Sequence, residues 1–417
     1  VTNLCYPSHK PLLSAEQALE RIASAIIPLS ETETVALSDA LGRVIAESPQ
    51  APQDIPPQAN AAMDGYGLNS AQILPSQTFR LRVVGTAWAG QPFVGELADG
   101  ECVRIFTGAV VPDGVDSVVQ QEQVDRDGEF ALFGADCPAG RNVRAIGSDV
   151  HRGDTLISAP KKLTASDLAL LAGAGIADIR ARRRLNIGFF STGDELTPLG
   201  EPLGHGKIYD SNRYLLSGLL ADANHRVVDL GIVRDDPALL EQTLLDAADR
   251  FDVVLSTGGA SVGDADYVQE TLAKCGQVEF WKLAIKPGKP LAFGKIGASW
   301  FFGLPGNPAA VLVTFRKFVA PALRQLAGEP AAGPLQLLAR CDSRLKKSAG
   351  RQEYQRGIVS QIAPGQYAVK LAGGQESHQL TVASHANCFI VLDADCAGVK
   401  PGESVIVEPF STNLPPL

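Results

Sequence analysis

The chain is poor in the residues that announce redox, zinc or serine-nucleophile chemistry. Its seven cysteines, Cys5, Cys102, Cys137, Cys275, Cys341, Cys388 and Cys396, are scattered and include no C-x-x-C pair. An odd, dispersed set argues against a disulfide framework and fits a reducing compartment. The six histidines, His9, His151, His205, His225, His378 and His385, show none of the usual zinc spacings, and no G-x-S-x-G elbow occurs. No stretch reaches the ~18 apolar residues of a membrane span. The opening "VTNLCYPSHKPLL" has no apolar core of signal-peptide length. The expectation is a soluble, cytoplasmic protein with no membrane partner. A surplus of positive charge is missing too. The formal net charge of -9 argues against a broad nucleic-acid surface, though a local basic pocket stays open. Low-complexity tracts and repeats of fixed period are absent.

What is present is the composition of a globular protein, with 45% apolar and 20% charged residues, and with 41 glycines and 27 prolines to make turns. At about 100 to 200 residues per domain, 417 residues predict two to four domains. The run "SAEQALERIASAI" (14–26) sets Leu19, Ile22, Ala23 and Ile26 on one helical face behind Ser14 as N-cap. Next comes "SPQAPQDIPPQANAAMDGYG", whose prolines forbid helix and sheet interior and mark a boundary near residue 49. Short strand-like runs, "TFRLRVVG" and "ECVRIFTG" among them, make 49–139 a β-rich inserted domain. Residues 140–180 return to a mixed pattern that ends in "TASDLALLAGAG", a short helix capped by Thr164. With 1–48 they form an N-terminal mixed domain.

From 181 to 328 strand and helix periods alternate over short connections. "LNIGFF", "HRVVDLGIV", "DVVLS", "VEFWKLAI" and "SWFFG" read as strands. "SNRYLLSGLLADAN", "DPALLEQTLLDAADR", "ADYVQETLAKCG" and "NPAAVLVTFRKFVAPALRQLA" read as helices. Such alternation predicts an α/β/α sandwich with a mainly parallel sheet and ligands at the carboxyl ends of its strands. From 329 to 417 the helical signal vanishes and short strands predict a small β-barrel. The whole is a multidomain α/β chain.

The loops after the central strands hold the chemistry. "STGGASVGDADY" (256–267) has the G-x-x-x-x-G spacing of a P-loop in Gly258 and Gly263, but Asp264 and Ala265 stand where Lys and Ser or Thr belong. Positive charge sits instead in "KLAIKPGKPLAFG", with Lys282, Lys286 and Lys289 on a proline-stiffened turn. "STGDEL" places Asp194 and Glu195 at a strand end. In "KIYDSNRY", Asp210, Ser211 and Asn212 read first as helix caps. "GLPGNPAAV" fixes a turn through Pro305 and Pro308 whose amides, with the next helix N-terminus, face the cleft. Lysines and amides suit an anion, and Glu195, Asp264 and Asp266 suit a hard cation. Mg2+ joining a phosphate to carboxylates reconciles the two.

In order along the chain, "AAMDGYG", "RIFTGAVVPDGVDSVVQQE", "STGDEL", "GKIYDSNRY", "STGGASVGDADY", "KLAIKPGKPLAFG", "GLPGNP" and "NCFIVL" resemble segments of the MoeA family of molybdopterin molybdenumtransferases. The E domain of gephyrin and its plant counterpart are similar as well. Ala260 and Asp264 depart conservatively from the usual Val and Glu. The resemblance implies an enzyme that inserts molybdate into adenylylated molybdopterin with Mg2+, releasing AMP, and works as a homodimer. It assigns Asp64 and Thr107 to a partner subunit, and Glu195, Asp235 and Asp266 to the surroundings of the metal and the scissile phosphate, with Glu195 and Asp266 as metal ligands. Lys282 and Lys286 would hold phosphate. Ser261, Lys289 and Pro290 would line the molybdate pocket with Arg351 and Ser377, and Asp149 is a further carry-over. Transient contact with a molybdopterin adenylyltransferase and with molybdoenzyme acceptors is implied too. The competing readings are an adenylyltransferase acting one step earlier and a gephyrin-like scaffold.

Overall fold

Strand and helix periods from residue 185 onward become one six-stranded sheet with helices against it. The computed structural model describes residues 12–74, 76–137, 139–258 and 266–411, without the side chains of 266–268 and 280. The chain divides into two compact units. One holds the residues up to Glu33, Gly42–Val44 and everything from Arg182 onward; the other holds Thr34–Leu41 and Ile45–Ala181.

The larger unit opens with helix α1 (Ala15–Ala25), capped by a reciprocal pair of bonds between Ser14 and Gln17. Its inward stripe is Ala15, Ala18 and Ile22, continued by Ile26, whereas Ala23 faces solvent one step off that stripe. The sheet then uses β1 (Leu185–Thr192), β2 (His225–Val233), β3 (Val253–Thr257), β4 (Gly276–Lys282), β5 (Pro290–Ile296) and β6 (Ser299–Leu304) in the order β2-β1-β3-β6-β5-β4. The first four run parallel, and β5 is antiparallel to both β6 and β4. Every residue of β3 and nearly all of β1 are buried, as befits central strands covered on both faces. Helices α2 (Asn212–Leu219), α3 (Pro237–Ala248) and α4 (Asp266–Cys275) fill the crossovers.

The run 307–327, expected as one helix, is α5 (Pro308–Thr314), a π-helical turn Phe315–Val319, and α6 (Ala320–Leu326). Pro321 has no N–H to offer the carbonyl one turn back, so the hydrogen-bond ladder resets there. Beyond it, β7 (Leu337–Cys341), β8 (Gln352–Ala363), β9 (Gln366–Leu371), β10 (Cys388–Leu392) and β11 (Ser404–Pro409) close a five-stranded barrel in the order β8-β9-β7-β11-β10 and back to β8. Barrel residues Tyr354 and Phe389 share one buried cluster with Phe302, Phe315 and Phe318.

The second unit holds a separate six-stranded sheet that includes Gly65–Leu68, Phe79–Ala87 and Glu101–Ile105. A small cluster of Val35, Ile45, Ile157, Leu163, Leu171 and Ile179 surrounds the helix Ala165–Gly173, whose Thr164 and Asp167 form a capping box. The described cysteines are all free thiols.

Candidate functional site

Four parallel strands bring the loops after β2, β1, β3 and β6 to one edge of the sheet. Because β4 runs the same way as β6, the turn from Lys282 to Pro290 lies on that edge as well. Acidic, glycine-rich and lysine-bearing loops, far apart in sequence, thus meet along one line.

The acidic loops come first. Gly193 has φ +147, and a Cβ there would lie 2.8 Å from the carboxylate carbon of Glu195, so glycine lets the exposed Glu195 fold back over its own turn. The short strands Leu196–Thr197 and Ile208–Tyr209 pair in parallel and close this loop. Asp194 N donates to Asp235 Oδ2 at 3.3 Å, and Asp235 N donates to Asp194 Oδ1 at 3.4 Å. Lys207 Nζ donates to the Asp194 carbonyl, and Arg234 stands 4.0 Å from Asp194 Oδ1. Among the described residues no cation pairs with Glu195, and no group of three or more His, Cys, Asp or Glu is poised to hold a metal. A Mg2+ ion needs only one or two carboxylates beside substrate oxygens, so this donor set fits Mg2+ and does not fit an all-protein cage.

The glycine turns pack backbone on backbone. Gly258 has φ +99, and a Cβ there would meet Thr192 Oγ1 at 2.8 Å. Its N donates to the Leu304 carbonyl at 3.2 Å, and Asn212 Nδ2 donates to the Gly306 carbonyl at 2.7 Å. Pro305 is buried inside this turn and Pro308 is half-buried at the start of α5. The first amides of α5 do not all face open space, since Ala309 N donates to the Ser377 carbonyl of the barrel at 3.2 Å. The capping expected of the "YDSN" segment is partly met. Asp210 Oδ1 accepts from Arg213 N at 3.2 Å, while Asp210 Oδ2 and Asn212 Oδ1 are buried acceptors without a partner among the described residues. Ser261 and Asp264 lie outside the described residues, and Asp266 opens α4 with its side chain outside them.

On the lysine side, Leu283 N donates to the Lys289 carbonyl at 2.7 Å and closes the turn, leaving Lys282, Lys286 and Lys289 exposed. Pro290 starts β5. Ile285–Lys286 pairs in parallel with Gln352–Glu353, which ties this turn to the barrel. Lys286 Nζ lies 3.5 Å from Glu353 Oε1, and Glu353, only 6% exposed, takes a second bond from Gln355 Nε2 at 3.0 Å. Glu353 was missed from sequence. The sequence of its strand, QEYQRGIVSQIA, mixes polar and apolar residues along both faces, so nothing in the spacing singles out Glu353 as a buried charge.

Arg356 is a second residue that sequence reasoning passed over. Arg351, the expected arginine, is exposed just before β8, whereas Arg356 is fully buried. Arg356 Nη2 donates to the carbonyls of Gly374 and Glu376 at 3.3 and 3.2 Å, and its Nε and Nη1 have no partner among the described residues. Burial without a carboxylate beside it depresses its pKa. Gln375 bonds both to and from the Arg356 backbone, so the loop carrying Ser377 is clamped to β8.

In the second unit, Asp64 Oδ1 accepts from Thr107 N at 2.8 Å and from Thr107 Oγ1 at 2.7 Å. Those two bonds, first the hydroxyl and then the amide, hold the Asp64 carboxyl below the ordinary range, with the charge of Arg104 adding to them. Asp149 is exposed.

Comparisons with known proteins agree with this architecture. Residues 13–175 match the MoeA N-terminal region (domain I and II), 188–325 a probable molybdopterin binding domain, and 339–410 the MoeA C-terminal region (domain IV). The chain is 40% identical over 402 residues to a molybdopterin molybdenumtransferase of Haemophilus influenzae, covering 96% of this chain and 99% of that one. It is 30% identical to gephyrin of Dictyostelium discoideum, over 90% of this chain and 59% of gephyrin. The crystal structure of a molybdopterin biosynthesis MoeA protein from Pyrococcus horikoshii superposes with a TM-score of 0.83 at 26% identity, covering 96% of this chain and 100% of that one. The chain therefore belongs to the MoeA family, transferases of molybdenum cofactor biosynthesis whose curated members are named molybdopterin molybdenumtransferases.

Proposed function

We propose that this enzyme inserts molybdate into the dithiolene of adenylylated molybdopterin with release of AMP, acting in the cytoplasm as a homodimer. The observation that carries the reading is the divided edge of the central sheet, with carboxylates at Glu195 and Asp235 on one side and Lys282, Lys286 and Lys289 on the other. A doubly charged tetrahedral oxyanion and a phosphoanhydride both need such cations, and lysine serves as a point charge where arginine supplies directed donors. Mg2+, held by Glu195 with Asp266, would supply neutralisation of charge on the phosphate oxygens. Lys282 and Lys286 hold phosphate. Ser261, Lys289, Pro290 and Ser377 line the molybdate pocket, and Arg356 joins Arg351 as its arginine candidate. Asp64 and Thr107 act from the partner subunit. The four-domain division at 48, 139, 180 and 328 belongs to the same proposal.

Purified protein given adenylylated molybdopterin, Mg2+ and molybdate should release AMP only when molybdate is present. Formation of adenylylated molybdopterin from ATP would favour an adenylyltransferase instead, and no turnover in either direction would leave the scaffold reading. The Asp266→Asn variant should keep its fold and lose most turnover.

A further inference from the structure

A ladder of flat groups runs across one face of the second unit's sheet. Tyr66 and Arg104 are paired residues on neighbouring strands, and Phe106 follows Arg104 by two, so all three share a face. The Arg104 guanidinium lies 5.0 Å from the Tyr66 ring centre and 4.6 Å from that of Phe106. It is fixed there by bonds from Nη1 to the Gly65 carbonyl at 2.8 Å and from Nη2 to Gln121 Oε1. Trp88 completes the ladder, with its ring centre 3.9 Å from that of Phe106 and the planes 7° apart. The backbone that carries the indole is fixed as well, because Trp88 and Gln91 exchange two backbone bonds of 2.9 Å in a tight turn.

Trp88 is nonetheless 49% exposed. With one ring face covered by Phe106, that exposure belongs to the outer face and edge. A lone exposed aromatic is ordinary on a protein surface. An exposed indole immobilised in a four-member stack is different, since its orientation is fixed before any ligand arrives and little freedom is lost on binding. The residue after Phe106 is Thr107, whose hydroxyl and amide both hold Asp64.

We propose that Trp88 is the outer plate of a stacking shelf for a planar nitrogen heterocycle, the adenine or the pterin of the substrate, beside the Asp64–Thr107 pair. The assignment rests on the proposed function, which supplies both rings on one phosphate-bearing molecule. Stacking recognises the π-face common to such rings and leaves the phosphates to the lysines.

The test uses wild-type protein with Trp88→Ala and Trp88→Phe, titrated separately with AMP and with neopterin by calorimetry, alongside steady-state kinetics on the full substrate. Trp88→Ala should bind one of the two probes about tenfold more weakly and raise KM for adenylylated molybdopterin by a similar factor, with kcat changed less than about twofold. Trp88→Phe should stay within about twofold of wild type in both measurements. The probe that weakens identifies the ring. Unchanged probe binding and KM in Trp88→Ala would overturn the shelf, as would a Phe variant as impaired as the Ala variant, or wild-type protein that binds neither probe. A wild-type enzyme that binds a ring at Trp88 but releases no molybdate-dependent AMP would overturn the proposed function and leave the shelf standing.

Discussion

Groups reach the edge of the central sheet by two different means. Around β1, β3 and β6 the backbone does the placing: Gly258 presses against Thr192, Gly306 carries a bond from Asn212, and Glu195 curls over Gly193. The barrel places its groups through buried charge, with Glu353 reaching Lys286, Arg356 clamping the Ser377 loop, and Lys317 bonding both oxygens of Glu408 at 2.8 Å. The first means should be sensitive to any added side chain at a glycine. The second should be sensitive to which half of a charged pair is removed.

The largest expected effect tests the barrel. Lys317 and Glu408 are nearly buried, so Lys317→Met strands a carboxylate and should lower stability by about 3 to 5 kcal/mol in urea unfolding. Arg356→Met removes a more deeply buried cation that has no carboxylate partner among the described residues to strand, and should change stability by no more than about 1 kcal/mol. Turnover should still fall about a hundredfold, because the Ser377 loop loses both Arg356 Nη2 bonds and is held to β8 only through Gln375 and the backbone. If the two variants lose stability equally, the distinction between paired and unpaired buried charge is wrong for this barrel.

Next comes the backbone-built side. Gly258→Ala must hold a left-handed φ of +99 and fit a methyl beside Thr192, which should lower stability by about 2 kcal/mol. Alanine tolerated there without loss in thermal unfolding would mean that the turn is not held by that close approach.

The smallest effect joins both means in one pair, since Asp64 accepts one bond from the backbone of Thr107 and one from its side chain. Thr107→Val deletes only the hydroxyl. The Asp64 pKa should rise toward the ordinary carboxylate value near ~3.9 while the retained amide keeps it below, readable by carbon-13 NMR titration. The sign follows from linkage. A depressed folded pKa stabilises the protein above the unfolded value and loses that stabilisation as pH falls through the folded one. In Thr107→Val the lower edge of that window should therefore move up. An unchanged titration would assign the whole depression to the amide and Arg104.

Much of this arrangement was legible in the residues. The buried runs of β1 and β3, the capping boxes at Ser14 and Thr164, and the gathering of "STGDEL" and "KLAIKPGKP" at strand ends follow from period, caps and parallel topology. Asp64 and Thr107 could come only from resemblance, because no local spacing relates residues 43 apart that meet across a sheet. Glu353 and Arg356 were hidden for a different reason. Their roles exist only once the barrel has closed and its loops have met the 285–286 strand and the start of α5. The π-helical turn was hidden as well, since apolar periodicity runs through Pro321 without a break.

That turn has a consequence for inheritance. Phe315 and Phe318 point into the core that Tyr354 and Phe389 also fill, and the intervening Arg316 and Lys317 lie over Phe410 and Tyr354. The barrel thus borrows a wall from the segment that precedes it. A chimaera cut between α6 and β7 would expose aromatic surface on both fragments, so the barrel is not a cassette to be traded alone among relatives. It should pass from chain to chain only together with residues 308–326.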